Sequence, residues 1–596
     1  MPPSRPRDEY ASRISALDSA IARYKQRDNF FAASKVALGL TTIVVTVWLA
    51  KYHATRITYV FIPIALLIAL FVWHERVIRA RRRCERLRKF CEQGLARLED
   101  RWAATGQSGE QFLDLAHPYA RDLDLFGKGS LFELLCTART RAGESTLAAW
   151  LLDRASLEEI EERGEAIREL APRLDFRECL ALAGEDVRIG VRPESLIAWN
   201  ESTTRLGPYR VLRAVLPVLA VCWVLSLVTW FVWDWGIAAL LMSVLNLAIR
   251  YRLQPRVQQS VGKIDEASHD LDILASVLKE IEGERFASRI LTGLQEGLQS
   301  QGSTPSMAIR RLDRRVSWLD SHEHWMVKVL DLFTFWTPQW VIAIETWRAR
   351  HGAAVRRWIE VTGEVEALAA LGGYAYEHPE DVFPEFVRDG PLLHAEAMAH
   401  PLLPRSHAVP NDLQLDGNLQ LIVVSGPNMA GKSTFIRCLG INVVLAQAGA
   451  PVRARQLKLS QLAVAASICV LDSLQGGLSR FYAEILRLKT IDEMSRGEVP
   501  VLFLLEELFS GTNSHDRRVG TESFVRHLLA RGAIGLITTH DLALAKIAEE
   551  MTDRAANYHF SDQLEDGQLR FDYKLTPGTV QTTNALNLMR SIGLDV

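Results

Sequence analysis

At 596 residues the chain is too long for a single hydrophobic core, and at about 150 residues per domain it should divide into roughly four. Its Lys+Arg 69 against Asp+Glu 71 give a formal net charge of -2, which excludes a uniformly basic nucleic-acid coat and an acidic disordered chain; any polyanion-binding surface must be local. The cysteines (Cys84, Cys91, Cys136, Cys179, Cys222, Cys438, Cys469) show no C-x-x-C or Cys/His zinc spacing, so they exclude a disulfide scaffold and read as reduced thiols.

In chain order, residues 1–35 predict an N-terminal cytoplasmic helix, with Arg23, Lys25 and Arg27 ahead of the first apolar run. Two uncharged runs follow, Val36 to Ala50 and Ile57 to Trp73, bracketed by Trp48, Tyr52, Tyr59 and Trp73 as an aromatic belt would be. Together they predict a transmembrane hairpin over 36–73. The first run starts too late and lacks a small-residue cleavage site, so it is not a signal peptide. Pro63 in the second run calls for a neighbouring helix to cover a freed carbonyl. Basic residues from Arg76 to Lys89 begin a juxtamembrane helix suited to an anionic leaflet.

Residues 76–210 continue as a helical core, with an amphipathic period from Leu98 to Ala183. A second hairpin is predicted over 214–249, from the runs Ala214 to Trp233 and Gly236 to Ile249, with Trp230, Trp233 and Trp235 at its turn. Of the four runs only this third one reaches about 20 residues, the usual spanning length. Arg205, Arg210 and Arg213 precede the hairpin, Arg250, Arg252 and Arg256 follow it, and its tip carries only Asp234. Positive charge beside the outer ends of both hairpins predicts a multi-pass protein of the cytoplasmic (inner) membrane with N-terminus, C-terminus and all soluble parts on the cytoplasmic side. A helical lever over 256–392 follows, with Gln301 to Pro305 as a linker, and then a last domain over 393–596.

That last domain carries the chemistry. The apolar run from Leu419 reads as a buried strand leading into Gly426-Pro427-Asn428-Met429-Ala430-Gly431-Lys432-Ser433-Thr434, which satisfies G-x-x-x-x-G-K-[ST] in a strand–loop–helix context. Its glycines let backbone N–H groups approach phosphate oxygens, Lys432 reaches the β/γ-phosphates, and the Ser433 hydroxyl suits Mg²⁺. The helix Phe435 to Ala448 aims its positive end at the same anion. A second strand run, Pro500 to Leu505, ends in Glu506-Glu507; Glu506 is expected to hold the metal through water and Glu507 to orient or deprotonate the attacking water. A third run, Ala533 to Thr539, ends in His540, a candidate γ-phosphate sensor at a strand C-terminus.

With these motifs in order the chain resembles the MutS ATPases. Asn428-Met429 gives the P-loop that family's form. Asp472-Ser473-Leu474-Gln475-Gly476-Gly477-Leu478-Ser479-Arg480-Phe481 is similar to its signature stretch, Leu504 to Asp516 to its Walker B strand and subunit-contact loop, and Thr539-His540 to its switch histidine. Upstream, His400-Pro401-Leu402-Leu403 is similar to the entry of its ATPase domain, and Leu131-Phe132-Glu133-Leu134-Leu135, Thr140, Gly143 and Trp150-Leu151 to the start of its helical core; Tyr573-Lys574-Leu575 through Gly593-Leu594 resembles its C-terminal dimerisation segment.

The resemblance implies an α/β P-loop NTPase domain of ABC/MutS-like type, joined here to an all-α core and lever and two transmembrane hairpins. It implies ATP and Mg²⁺ as cofactors, a homodimer in which Ser479 of one subunit closes over the other's γ-phosphate, and DNA, mismatched or branched, as ligand in a mismatch-repair-related activity. Three positions depart from the family pattern: Glu506 stands where Asp is usual, Ser510 where Arg is usual, and Thr582-Thr583-Asn584-Ala585 replaces Ser-Tyr-Gly-Ile. No Phe-x-Glu wedge lies near the N-terminus, and Phe383-Pro384-Glu385 fits that tripeptide only by chance, so recognition by the usual wedge is not supported. The alternative is a membrane-organising ATPase acting on protein partners. An ABC-type transporter is disfavoured, because the apolar runs lack the charges that mark a substrate path.

Overall fold

The computed structural model describes residues 6–52, 59–183, 197–199, 209–268, 271–298, 304–321, 325–427, 430–468, 480–509, 511–540, 542–551, 554–565 and 568–579. The chain forms two compact units, Met1–Thr105 and Gly106–Val596.

The first unit is a pair of long helices, α1 (Pro6–Tyr52) and α2 (Phe61–Leu98). Their polar halves are zipped in antiparallel order. Arg7 pairs with Glu99 at 2.9 Å, Asp18 with Arg88 at 2.7 Å, and Asp28 with both His74 and Arg81. The hydrogen bond from His74 holds the Asp28 carboxyl below its ordinary range, and the Arg81 charge adds to it. Tyr10 is buried against Gly94, where a Cβ would come within 2.6 Å of its ring. The expected boundary at residue 35 is not a break, since α1 runs on through the first apolar run. Pro63 also needs no neighbour: α2 starts at Phe61, so the proline occupies the first turn, where no intrahelical N–H bond is lost.

The amphipathic reading from Leu98 predicted helix, yet residues 106–130 form loops around one 3₁₀ turn, Glu110–Phe112. Gly109, Asp124, Gly127 and Gly129 all adopt positive φ, which an α-helix cannot include. Apolar spacing here serves a small core of Phe112, Phe126 and Phe132 instead.

Helices α3 (Leu131–Leu135), α4 (Arg141–Leu152), α5 (Leu157–Leu170) and α6 (Leu174–Leu182) follow, the first three N-capped by Ser130, Thr140 and Ser156. Then come the long apolar helices α7 (Tyr209–Trp233) and α8 (Gly236–Ser268), joined side by side by a Trp223 Nε1 hydrogen bond to Ser243 Oγ at 2.9 Å. Helices α1, α2, α7 and α8 are long and apolar enough to cross a membrane. The region expected as a lever divides into α9 (Leu271–Gly283), α10 (Arg289–Glu296), α11 (Pro305–Asp320), α12 (Trp325–Thr334) and the 42-residue α13 (Trp336–Glu377). Pro305 of the expected linker is the first residue of α11.

α13 packs on α4 at very close range. A Cβ on Gly363 would lie 2.8 Å from the Ala142 carbonyl oxygen, and one on Gly143 would lie 2.5 Å from Glu366. Glu366 itself is buried and accepts hydrogen bonds from the Arg139 and Thr140 amides and the Thr140 hydroxyl, capping α4 from the side.

The rest is α/β. A four-stranded sheet, in the order β1 (Glu385–Val387), β5 (Gln456–Ser460), β2 (Leu393–Met398), β3 (Asn411–Leu415), leads into a six-stranded one. The latter has the order β12 (Thr576–Pro577), β9 (Ala555–His559), β4 (Leu421–Ser425), β8 (Ile534–Thr539), β7 (Val501–Glu506), β6 (Ala463–Ser467). Only β12 is antiparallel to its neighbour. Its crossover helices are α14 (Lys432–Gln447), α15 (Arg480–Met494), α16 (Ser514–Ala530) and α17 (Leu542–Glu550). A small hairpin, β10 (Asp562–Glu565) with β11 (Gln568–Phe571), follows. The central strands are apolar up to their carboxyl ends, where Ser425, Glu506, Thr538 and Thr539 stand, because helices cover both faces.

Burial raises the Glu366 carboxyl to about 7 from an ordinary 4.5. The folded chain keeps this proton to a higher pH than the unfolded chain, so the contribution is fully present below about pH 4.5 and is lost as pH rises through about 7. Thermal unfolding across that window should show wild type losing stability relative to Glu366→Gln, with a limiting slope of about 1.4 kcal/mol per pH unit. Parallel pH profiles would remove the assignment.

Candidate nucleotide site

The site is built at the carboxyl ends of β4, β7 and β8. Register places Ser425 opposite Thr539 and Glu506 opposite Thr538, so the loops that follow these strands leave from one edge. The loop after β4 turns at Gly426, with φ 151, where a Cβ would approach the Phe560 carbonyl oxygen to 2.8 Å. It closes at Gly431, with φ 97, which precedes α14 and faces the Tyr573 ring at 3.0 Å from a would-be Cβ. Both positions demand glycine on conformation and on space.

Lys432 begins α14 and is buried, its Nζ donating to the Gly426 and Pro427 carbonyl oxygens at 2.6 and 2.9 Å. Burial lowers its pKa, while Glu507 and Glu506 act to raise it. The Ser433 hydroxyl donates to Glu506 Oε1. Burial raises the Glu506 pKa, against the Ser433 hydrogen bond.

Glu507 follows in a left-handed conformation, φ 46, with its amide donating to Thr538 O at 3.1 Å. This twist points consecutive carboxylates different ways. Glu506 meets Ser433, and Glu507 Oε1 lies 2.9 Å from His540 Nδ1. Among the described residues, Gly426, Pro427, Ala430, Gly431, Lys432, Ser433, Thr434, Glu506, Glu507 and His540 therefore gather at this edge; Asn428, Met429, Ser479 and Ser510 lie outside the described residues, as does the stretch 580–596 with Thr582 to Ala585.

A cavity of about 660 Å³ opens beside the loop, lined by Lys432, Ser433, Thr434 and Glu506 on one side and by Val409, Asn411, Phe560 and Tyr573 on the other. Asn411 binds the C-terminal segment across it, donating to Tyr573 O at 3.0 Å and accepting from Leu575 N at 2.8 Å. His400 lines the cavity too, and burial lowers its pKa to about 4, leaving it neutral. Its carbonyl and that of Leu403 accept from Arg453 Nη1 at 2.7 and 2.6 Å.

The glycine cradle, the buried ammonium and the cavity fit a nucleoside triphosphate. The Ser433 and Glu506 oxygens are a hard donor set that fits Mg²⁺. Among the described residues no group of three or more His, Cys, Asp or Glu could hold a metal by itself.

Residues 422–595 match the family model described as MutS domain V. The match is confined to this C-terminal part of the chain. The C-terminal domain is thus a MutS-type ATPase domain. The chain is 31% identical over 252 residues to the DNA mismatch repair protein MutS 2 of Halobacterium salinarum, 30% over 257 residues to MutS of Brevibacillus brevis, and 34% over 254 residues to MutS of Thermus thermophilus. These alignments span 41%, 42% and 41% of this chain but only 29%, 29% and 30% of those relatives' own lengths.

The motifs did not foretell Asp122, in the loop mistaken for helix. Its buried carboxylate accepts from Ile468 N at 2.8 Å and faces Arg487 of α15 at 3.6 Å, while its carbonyl accepts from Arg437 of α14 at 2.9 Å. One residue of the core thus holds both flanks of the stretch that carries Ser479 and also the P-loop helix of this MutS domain. The alternating Arg-Asp-Leu-Asp-Leu at 121–125 was its only local signal, and that reads equally as surface.

Asp122→Ala leaves the Ile468 amide buried without its acceptor, and should destabilise the chain by about 2 kcal/mol. Asp122→Asn keeps an acceptor oxygen and should cost less. Denaturant titration of both variants checks the order, which the opposite ranking would overturn.

Proposed function

We propose that the protein is a membrane-anchored, dimeric MutS-type ATPase whose nucleotide cycle acts on DNA through its helical core. The observation that carries the reading is the convergence of Lys432, Ser433, Glu506, Glu507 and His540 on one strand edge, within a domain of MutS type.

Each residue then has a task. Lys432 exchanges its loop carbonyls for phosphate oxygens. Ser433 and Glu506 would hold Mg²⁺, which would neutralise phosphate charge when bound. Glu507, with His540 on its other flank, is placed to take a proton from water. Ser479 of a second subunit completes the site. Glu506 in place of the usual Asp is one methylene longer, and its direct reach to Ser433 supports a metal role for both.

The membrane reading rests on α1, α2, α7 and α8, whose apolar windows are little buried within the protein. Basic residues beside their outer ends favour a cytoplasmic orientation for both termini and for the ATPase domain. DNA is the ligand suggested by relatives that are DNA mismatch repair proteins; mismatched and branched duplexes are its candidate forms.

Steady-state ATPase of the solubilised full chain tests this. Lys432→Ala should abolish nucleotide binding, whereas Glu507→Ala should keep binding and lower turnover by about 100-fold or more. Unchanged turnover would remove Glu507 from its role. Homoduplex, mismatched and branched DNA should alter the wild-type rate, with an effect that fades as salt rises because phosphate contacts release counterions. No response to any DNA would favour a protein partner instead.

A further inference from the structure

We propose that α12, with the tryptophan cluster beside it, is an additional membrane-binding element that lies in the bilayer interface against the second hairpin. This rests on the reading of α7 and α8 as membrane spans.

Depth is the first argument. The apolar run of α8 from Gly236 to Ile249 is short for a span. Within it Asn246 is fully buried, and its amide donates to the carbonyl oxygen of Phe333, at the end of α12, at 2.8 Å. One turn nearer the polar end, Arg250 donates to the Asp331 carbonyl at 2.7 Å and pairs with its carboxylate at 2.8 Å. The end of α12 therefore reaches a turn beyond the arginine, into the apolar run. Phe333 stacks on Trp223 of α7 at 4.9 Å between ring centres. A helix end in hydrocarbon must have its last carbonyls covered, and Asn246 and Arg250 cover two of them.

The outer face is the second argument. Val329 and Leu330 are 55% and 50% exposed, and Leu332 is also exposed, on a short helix whose other side packs on the hairpin; exposed Lys328, one turn before Leu332, has the long stem that lets a lysine carry its charge up to the headgroups. α7 and α8 also expose large apolar side chains, and Asn246 makes no polar break among them because it is turned inward.

The third argument is what rims it. Trp318, Trp336 and Trp340 pack together with ring centres 5.7 to 5.9 Å apart, with Trp318 half exposed, as interfacial tryptophans are. Arg310, Arg311 and Arg314 are exposed on the same helix as Trp318, and Arg213 of α7 and Arg311 both act on Arg315. An apolar face, a tryptophan rim and a basic collar together fit an anionic bilayer surface.

The test is site-directed spin labelling of the full chain in phosphatidylethanolamine–phosphatidylglycerol vesicles, native cysteines having been replaced, with labels at 240, 329, 330 and 318 in turn. Accessibility to oxygen should exceed that to a water-soluble nickel chelate several-fold at 329 and 330, as at 240, and the two should be comparable at 318. A lipid signature at 240 with chelate access at 329 and 330 would overturn the proposal while leaving the spans in place. Chelate access at 240 as well would overturn the spanning reading. Low access to both reagents at 329 and 330, as beneath a second protein surface, would also overturn the proposal. Leu330→Asp, which retains the buried contacts of Phe333, should shift the 318 label toward the chelate while 240 stays lipid-like; an unmoved 318 signal would argue against anchoring through α12.

Discussion

Everything at the nucleotide site depends on the register of the parallel sheet. β4, β8 and β7 end level with one another because their ladders pair Ser425 with Thr539 and Thr538 with Glu506. A slip of one residue would turn alternate side chains to the opposite face and separate Glu506 from Ser433. Both faces of these strands are covered, so register is held by packing between unlike sizes: Gly535 lies opposite Phe503, where a Cβ would come within 2.5 Å of the phenyl ring. The chemistry is held by groups that take no part in it.

How much of this was legible in the sequence follows from how local each feature is. The P-loop and the two glutamates were readable because strand, turn and helix are encoded within a few tens of residues, and the fold keeps them as read. The left-handed turn at Glu507 was not readable, because nothing in Glu-Glu-Leu-Phe marks a positive φ. Residues 106–130 were misread for a related reason. Apolar spacing can serve a helix face or a knot of phenylalanines equally well, and the glycines that decide it were outweighed by the pattern. Asp122 lay beyond reach for the opposite reason: its partners Ile468, Arg487 and Arg437 are hundreds of positions away, and only the folded chain brings them together.

Buried polar junctions recur wherever one layer of the second unit meets another. Asn442, fully buried in α14, donates to the Ala399 carbonyl and accepts from the Arg453 amide, so the P-loop helix is tied to the strand entry beside the cavity. Tyr374, near the end of α13, donates to Asp381, which Arg405 also engages. Such groups are costly when any partner is missing, so each junction admits few geometries. A nucleotide that shifts α14 thereby acts on defined contacts rather than on a compliant apolar surface.

The close approach of Gly363 to α4 has a mechanical meaning. It lies off-centre in α13: at about 1.5 Å per residue, roughly 40 Å of helix extends from it toward Trp336 and roughly 20 Å toward Glu377. A rod rocking on that point would have unequal arms, the short one ending at the ATPase sheets and the long one at the apolar hairpin. Displacement would be about doubled from the first to the second, and force about halved. With Gly363 as the fulcrum, a small rearrangement at the short end would thus become a wide, soft stroke at the other.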